Sequence, residues 1–146
     1  MQRRSLLVAL AVSMIVGCGL IVPLPVSVNF YPIDGPYAQQ NPVPVFAATG
    51  WLQAGSVGIT LRFPNGESIH VDIADSITGT RAANDDMAPI WDRVFGPGFY
   101  TARVLGAPGH ARGTAIGSMG TQLDVESLGD SGVARDSRGN IFKWGT

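Results

Sequence analysis

Two groups of carboxylates and histidines have the residue types that bind a cation or transfer a proton. Asp85 and Asp86 are adjacent, and His70, Asp72 and Asp75 lie within one short stretch. Neighbouring residues of a helix point to different faces, so the Asp85–Asp86 pair does not converge, and its position favours capping of a helix N-terminus. The second group lacks the spacing of a zinc site and favours a solvated strand face. We therefore predict no metal site and no cofactor site.

A third candidate is Ser131, within Gly129-Asp130-Ser131-Gly132, the string that surrounds the nucleophile of trypsin-like proteases. A hydrolase built on this serine needs a histidine base, a carboxylate that orients it and an oxyanion hole. His70 and His110 are the only histidines of the chain, and neither lies in a recognisable motif. The string is typical of a polar turn, and a loop position makes His110 a surface residue. We predict no catalytic residue, with a hydrolase around Ser131 as the weakest alternative.

Large aromatic residues are the last candidates for binding. Core packing is the predicted role of Trp51, Trp91, Phe99, Tyr100 and Trp144, because they follow strand and helix periods. If several of them lined the mouth of a barrel, they would form a pocket for an apolar or sugar-like ligand. A small-ligand binder that uses the barrel interior is therefore the second functional hypothesis.

Cys18, the single cysteine of the chain, follows a basic start with Arg3 and Arg4 and an uncharged apolar run over residues 5–16. These are the parts of a secretory signal. One cysteine excludes an intramolecular disulfide, so the residue needs another explanation. Two alternatives remain open at this point: an ordinary signal peptide with a buried free cysteine, and an uncleaved membrane anchor from Ser5 towards Val22.

The residues Ile15-Val16-Gly17-Cys18 resemble the lipobox of bacterial lipoproteins. The resemblance implies a signal peptide over 1–17, lipid on the Cys18 sulfur and cleavage before that cysteine. Gly19 stands where an aspartate would retain enteric lipoproteins in the inner membrane, which implies outer-membrane anchoring facing the periplasm. Several acyl chains on one residue would give stable attachment.

The charge of the chain excludes one class of partner. The chain has 10 basic and 11 acidic residues, and loss of Arg3 and Arg4 leaves 8 basic residues and a net charge of -3. No basic stripe is present, so we expect no nucleic-acid partner.

Proline punctuates residues 18–44, which predicts an extended tether with one edge strand over 26–30. Residues 45–146 form the predicted β-rich domain. Alternating apolar residues and tight turns predict strands over 45–52, 56–63, 68–74, 99–105, 111–118, 121–128, 132–136 and 140–144.

The stripe Met87, Ile90, Trp91, Val94 and Phe95 predicts one helix over about 85–95, and so short a helix must dock on a sheet. The fold class is therefore mainly β, a small antiparallel barrel or sandwich of about seven to eight strands.

Most of the chain after Cys18 resembles a group of small proteobacterial lipoproteins of unknown function through four segments. The likeness lies in Tyr31-Pro32 with Gly35-Pro36, Pro64-Asn65-Gly66-Glu67, Trp91 to Tyr100 and Gly132 to Lys143. Glycines, aromatics and turns specify fold and not chemistry, so the resemblance implies no activity. The expected function is a non-catalytic structural or interaction role in the cell envelope, with an envelope protein or the cell wall as partner.

Overall fold

The computed structural model describes residues 22–145, so the predicted signal peptide, lipobox and Cys18 lie outside the described residues. Within residues 22–145 the chain forms nine antiparallel strands in one barrel-like sheet, which confirms the mainly β prediction. The strands are β1 (Leu24–Asp34), β2 (Phe46–Gln53), β3 (Ser56–Arg62), β4 (Ser68–Ile73), β5 (Asp75–Ser76), β6 (His110–Ile116), β7 (Gln122–Leu128), β8 (Ser131–Asp136) and β9 (Ile141–Gly145).

The strand order is β4-β3-β2-β1-β9-β8-β7-β6-β5, and β4 returns to lie against β6. Glycine makes this approach feasible, because a Cβ at Gly113 of β6 would stand 2.3 Å from the carbonyl oxygen of Asp72. The N–H of Ser118 donates to the carbonyl of Ser68 at 3.0 Å across the same gap. The sheet is therefore nearly closed, with few unpaired edges.

The buried Glu67 fastens this closure. Its Oε1 accepts the backbone N–H groups of Met119 at 3.2 Å and Thr121 at 3.0 Å. Its Oε2 accepts the Thr121 hydroxyl at 2.7 Å and the Arg138 guanidinium at 2.9 Å. Burial alone raises the pKa of Glu67, but these hydrogen bonds, led by the Thr121 hydroxyl, outweigh burial and hold the pKa below its ordinary value.

Strand β1 corrects the prediction of a tether over 18–44. It is a central strand that pairs with both β2 and β9, not an edge strand within a linker. Its prolines are tolerated because each lies where only one neighbour is paired: Pro25 faces β2 alone, and Pro32 faces β9 next to a register shift.

Helical structure is confined to the connection between β5 and β6 within the described residues. The helix predicted over 85–95 is shorter, α2 (Ala88–Phe95), and it ends at Gly96 with φ of 113°. A five-residue helix, α1 (Gly79–Ala83), precedes it, although the sequence predicted only one helix. The strand predicted over 99–105 is wrong: residues Tyr100–Val104 form a π-helical turn, because Tyr100 and Val104 are both buried at helical spacing.

Two separate cores result. The barrel interior is filled by apolar side chains, and the rings of Tyr37, Phe46 and Phe63 pack against one another within it. The second core lies outside the barrel, where Met87, Trp91, Tyr100 and Val104 pack with Val133 of β8. We call residues 79–104 the helical layer, and the outer surface of β6–β8 beneath it the covered face.

Candidate functional site

The covered face contains charged side chains where an apolar contact would be the simpler solution. The strand register places Arg112, Glu126 and Val133 in one row across β6, β7 and β8. The next row along the strands contains Thr114, Asp124 and Arg135. Because side chains alternate along a strand, both rows point away from the barrel interior and towards the helical layer.

Three ionisable side chains meet at one buried point: Asp85 from the loop before α2, His110 from the start of β6 and Glu126 from β7. The side chains of His110 and Glu126 are 0% exposed, and that of Asp85 is 1% exposed. His110 Nε2 lies 2.9 Å from Glu126 Oε2 and 3.6 Å from Asp85 Oδ2. One ligand atom from each residue lies within 4.8 Å of the other two.

Aromatic residues of the helical layer position this group, which we call the buried triad. Trp91 Nε1 donates to Glu126 Oε2 at 2.7 Å. The His110 ring lies nearly perpendicular to those of Trp91 and Tyr100, with centroids 6.2 and 5.9 Å apart. The Tyr100 hydroxyl donates to the Ala82 carbonyl at 2.5 Å, which joins α1 to the same aromatic group.

An ion-pair network surrounds the triad on its exposed side. Arg112 donates to Asp86 at 2.6 Å, and Arg135 also pairs with Asp86. Arg135 Nε donates to Asp124 at 3.1 Å, and Thr114 donates to the other oxygen of Asp124 at 2.8 Å. These contacts hold the pKa values of Asp86 and Asp124 below the ordinary value: the Arg112 hydrogen bond leads for Asp86, and for Asp124 the hydrogen bonds outweigh burial.

The two carboxyls of the triad differ in protonation behaviour. Burial and contact with Glu126 raise the pKa of Asp85 to about 6. Burial also raises the pKa of Glu126, but hydrogen bonds to its Oε2, led by the contact with His110 and followed by the Trp91 N–H, outweigh burial and hold that pKa below its ordinary value. Burial and the neighbouring Asp85 charge raise the pKa of Tyr100. The two carboxyls and the imidazole of the triad are groups that can transfer a proton or bind a metal ion.

Sequence reasoning missed this site in three places. His110 is not a surface residue, because the helical layer covers the start of β6. Asp124 and Glu126 point out of the barrel as alternation predicts, but both are buried beneath the layer. The capping prediction for Asp85 is wrong, because α2 begins after Met87 and has no side-chain cap. Asp85 accepts the Met87 N–H at 3.0 Å in the preceding turn, and its second oxygen faces the triad. The apolar helix stripe was the available signal, since a docked helix must cover some part of the sheet.

The other sequence candidates are dispersed. His70 and Asp72 lie 3.4 Å apart on a solvent-exposed strand face, as predicted. Ser131 lines a surface groove of about 440 Å³ with Lys143, and within residues 22–145 neither histidine forms a hydrogen bond with it. Among the tryptophans, Trp91 and Trp144 are buried as predicted, whereas Trp51 is exposed, which corrects its assignment to the core.

Trp51 belongs to a second surface of interest, the outer surface of β1–β4, which we call the open face. Strand pairing places Trp51 opposite Pro25, and Leu52 opposite Leu24. Val22, Leu24, Trp51 and Leu52 lie at this end of the strand pair and are 39–68% exposed, and we call this end of the barrel the apolar tip. Trp51 points outward there, whereas Leu24 and Leu52 lie on the other side of the sheet, at the rim of the barrel. Residues 22–33 and 45–61 contain no charged side chain. The tip is thus an uncharged apolar surface at the start of β1.

No family model, curated protein or solved structure matches the chain. Among residues 22–145, no helix has both the length and the hydropathy that a membrane span requires.

Proposed function

We propose that this protein is a lipid-anchored component of the bacterial cell envelope with a non-catalytic interaction role, held at the outer membrane by lipid on Cys18 and facing the periplasm. The observation that supports this proposal is the apolar tip at the start of β1. An exposed apolar patch of this kind marks an interaction surface, and a bilayer is a suitable partner when the patch is uncharged and contains tryptophan.

The position of the tip relative to Cys18 favours the bilayer. Leu24, the first residue of β1, lies six positions after Cys18. Six residues reach at most about 20 Å, so a lipid on the cysteine keeps this end of the barrel close to the membrane. A tether over 18–44 would have let the domain range much further from the surface.

The first test is fractionation of cells that express the full chain or its Cys18→Ala variant. We expect the wild-type chain in the membrane fraction, with a mass increase from acyl chains on a first residue that is Cys18, and the variant without this mass. Gly19→Asp is the matched variant, because it preserves the modified cysteine and should move the chain from the outer to the inner membrane. An unmodified wild-type sulfur, or a different first residue, would contradict the proposal.

The second test asks whether the tip contacts lipid. Brominated acyl chains quench only tryptophans that reach the bilayer, so vesicles containing them should quench the emission of Trp51 in the lipidated protein. The Trp51→Phe variant, which retains Trp91 and Trp144 in the cores, is the control and should show little quenching. Equal quenching in both proteins would exclude contact through the tip.

A second candidate function is binding of a sugar-like ligand on the open face. A groove of about 530 Å³ lies there, and Trp51, Thr60, Arg62 and His70 are among the residues that line it. An exposed indole beside hydroxyl and guanidinium groups suits a sugar ring, which has an apolar face and polar edges. The sequence suggested the barrel interior as the binding site. Aromatic side chains pack together in that interior, so the groove on the open face is the location proposed instead. Titration of Trp51 fluorescence with soluble cell-wall fragments distinguishes the candidates, since membrane contact predicts no response.

A further inference from the structure

We infer that the buried triad of Asp85, His110 and Glu126 is a binding site for one divalent transition-metal ion, which fastens the helical layer to the barrel. The inference is independent of the lipid anchor. It rests on side chains that three separate segments bring to one point: the loop before α2, the start of β6 and the middle of β7.

The distances between the side chains suit a coordination shell. A tetrahedral ion with bonds of about 2.1 Å to nitrogen and oxygen has ligand atoms about 3.4 Å apart. The two measured separations from His110 Nε2, 2.9 Å to Glu126 and 3.6 Å to Asp85, lie on either side of that value. Small rotamer changes would therefore place all three ligand atoms around one ion.

Unpartnered atoms supply the second argument. Asp85 Oδ2 and Glu126 Oε1 are buried without a hydrogen-bond partner, and His110 Nδ1 is in the same condition. Buried polar atoms are nearly always paired, because an unmet donor or acceptor is costly. Three such atoms in one cluster indicate a missing partner, and a cation between the carboxylates would satisfy both free oxygens.

The charge balance favours a cation as that partner. Within residues 22–145, the four carboxylates Asp85, Asp86, Asp124 and Glu126 share three basic groups: the guanidiniums of Arg112 and Arg135 and the imidazole of His110. Arg112 lies closest to Asp86, and its distances to the inner pair are 3.6 Å to Asp85 and 3.8 Å to Glu126. Basic groups are therefore fewer than carboxylates even with His110 counted, which leaves the inner pair incompletely neutralised where the side chains are at most 1% exposed.

The ligand set specifies the class of ion. One imidazole and two carboxylates suit zinc and manganese(II), whereas calcium and magnesium prefer oxygen alone, and copper(I) prefers sulfur. Trp91 donates to a carboxylate of the set, which is the usual role of a neighbour that orients a metal ligand. Because the side chains are closed off from solvent, the role we assign to the ion is structural.

The inference is tested on the full chain. The protein is unfolded in urea with a chelator, the urea and the chelator are removed, and the protein is refolded with Zn²⁺ or Mn²⁺. We expect about one ion per chain by elemental analysis, and a thermal midpoint that rises with the concentration of the ion. Asp85→Asn should weaken binding at least about tenfold. Glu126→Gln is the second variant, and it also conserves the volume of the side chain. Circular dichroism establishes that each variant has folded.

His70→Ala is the matched control, because His70 also lies beside a carboxylate but on an exposed strand face. It should bind the ion as the wild-type chain does. If the wild-type chain binds neither ion, a proton shared between Asp85 and Glu126 balances the site and the inference is wrong. Binding that is equal in the wild-type, Asp85→Asn and Glu126→Gln chains would also overturn it, because the ion would then lie elsewhere.

Discussion

Strands β1–β4 and strands β6–β8 belong to one sheet, yet their outer surfaces meet different surroundings. The covered face is packed against the helical layer, and its charged residues Asp124 and Glu126 are buried. On the open face, the large apolar residue Trp51 is exposed, and His70 and Asp72 lie in solvent. The face with more charge is the buried one, which reverses the usual rule. This reversal indicates that the covered face is built for specific polar contacts, whereas the open face is available to a partner.

The largest expected effect comes from removing Trp91, which links the helical layer to the covered face. Trp91→Ala leaves a large cavity and removes the donor to Glu126, so we expect a loss of about 3–5 kcal/mol in the free energy of unfolding. Urea denaturation measures the change. A loss below about 1 kcal/mol would show that the helical layer contributes little to stability and would break the distinction between the two faces.

Alternation along the strands predicted the direction of side chains but not what covers them. The hairpin of β3 and β4 could be predicted because Ile59, Leu61, Ile69 and Val71 alternate around a clear turn, and all four are buried. The same period places Glu126 outside the barrel, which is correct. Whether an outward side chain is exposed to solvent depends on where a helix that is distant in sequence docks. The alternation of residues along a strand contains no information on the position of that helix.

Proline and short aromatic runs caused the other errors. The prolines of residues 18–44 favoured a linker, but Pro25 and Pro32 each need only one unpaired side, and β1 provides it. Residues 99–105 contain apolar residues that suit either a strand or a helical turn. Packing against Trp91 decides between them, and that contact is not local in sequence.

The buried triad was beyond sequence reasoning for a related reason. Asp85, His110 and Glu126 are separated by 25 and 16 positions, with none of the short spacings typical of metal motifs. Only the topology brings them together. The residues 15–18 that resemble a lipobox are, by contrast, contiguous, so the sequence alone supports a prediction there.

A substitution at Glu67 should have an intermediate effect on stability. This residue joins the two halves of the barrel, whereas Trp91 joins the covered face to the helical layer. Glu67→Gln removes the charge that accepts from Thr121 and Arg138, so we expect a loss of about 1.5–3 kcal/mol at pH 7. Because the pKa of Glu67 is lowered on folding, its contribution is complete above its ordinary pKa of 4.5 and is lost as the pH falls through the folded value.

Unfolding free energies at several pH values test this sign. The difference between the wild-type and Glu67→Gln chains should shrink as the solution becomes more acidic. Asp72→Asn is the matched control, since this carboxylate is exposed on the open face. A difference that grows towards low pH would mean that the charged form of Glu67 is not the one that stabilises the closure.

The smallest effect on stability is expected for a substitution at Trp51. Trp51→Ala and Trp91→Ala each remove an indole, so the two variants compare the open face directly with the covered face. Trp51→Ala deletes a side chain that is 58% exposed, so the free energy of unfolding should change by no more than about 0.5 kcal/mol. The emission maximum of the variant should move to shorter wavelength, since the remaining Trp91 and Trp144 are buried. If Trp51→Ala instead destabilised the domain as much as Trp91→Ala, the open face would be covered in the folded protein, and the apolar tip would be unavailable to a bilayer or a sugar.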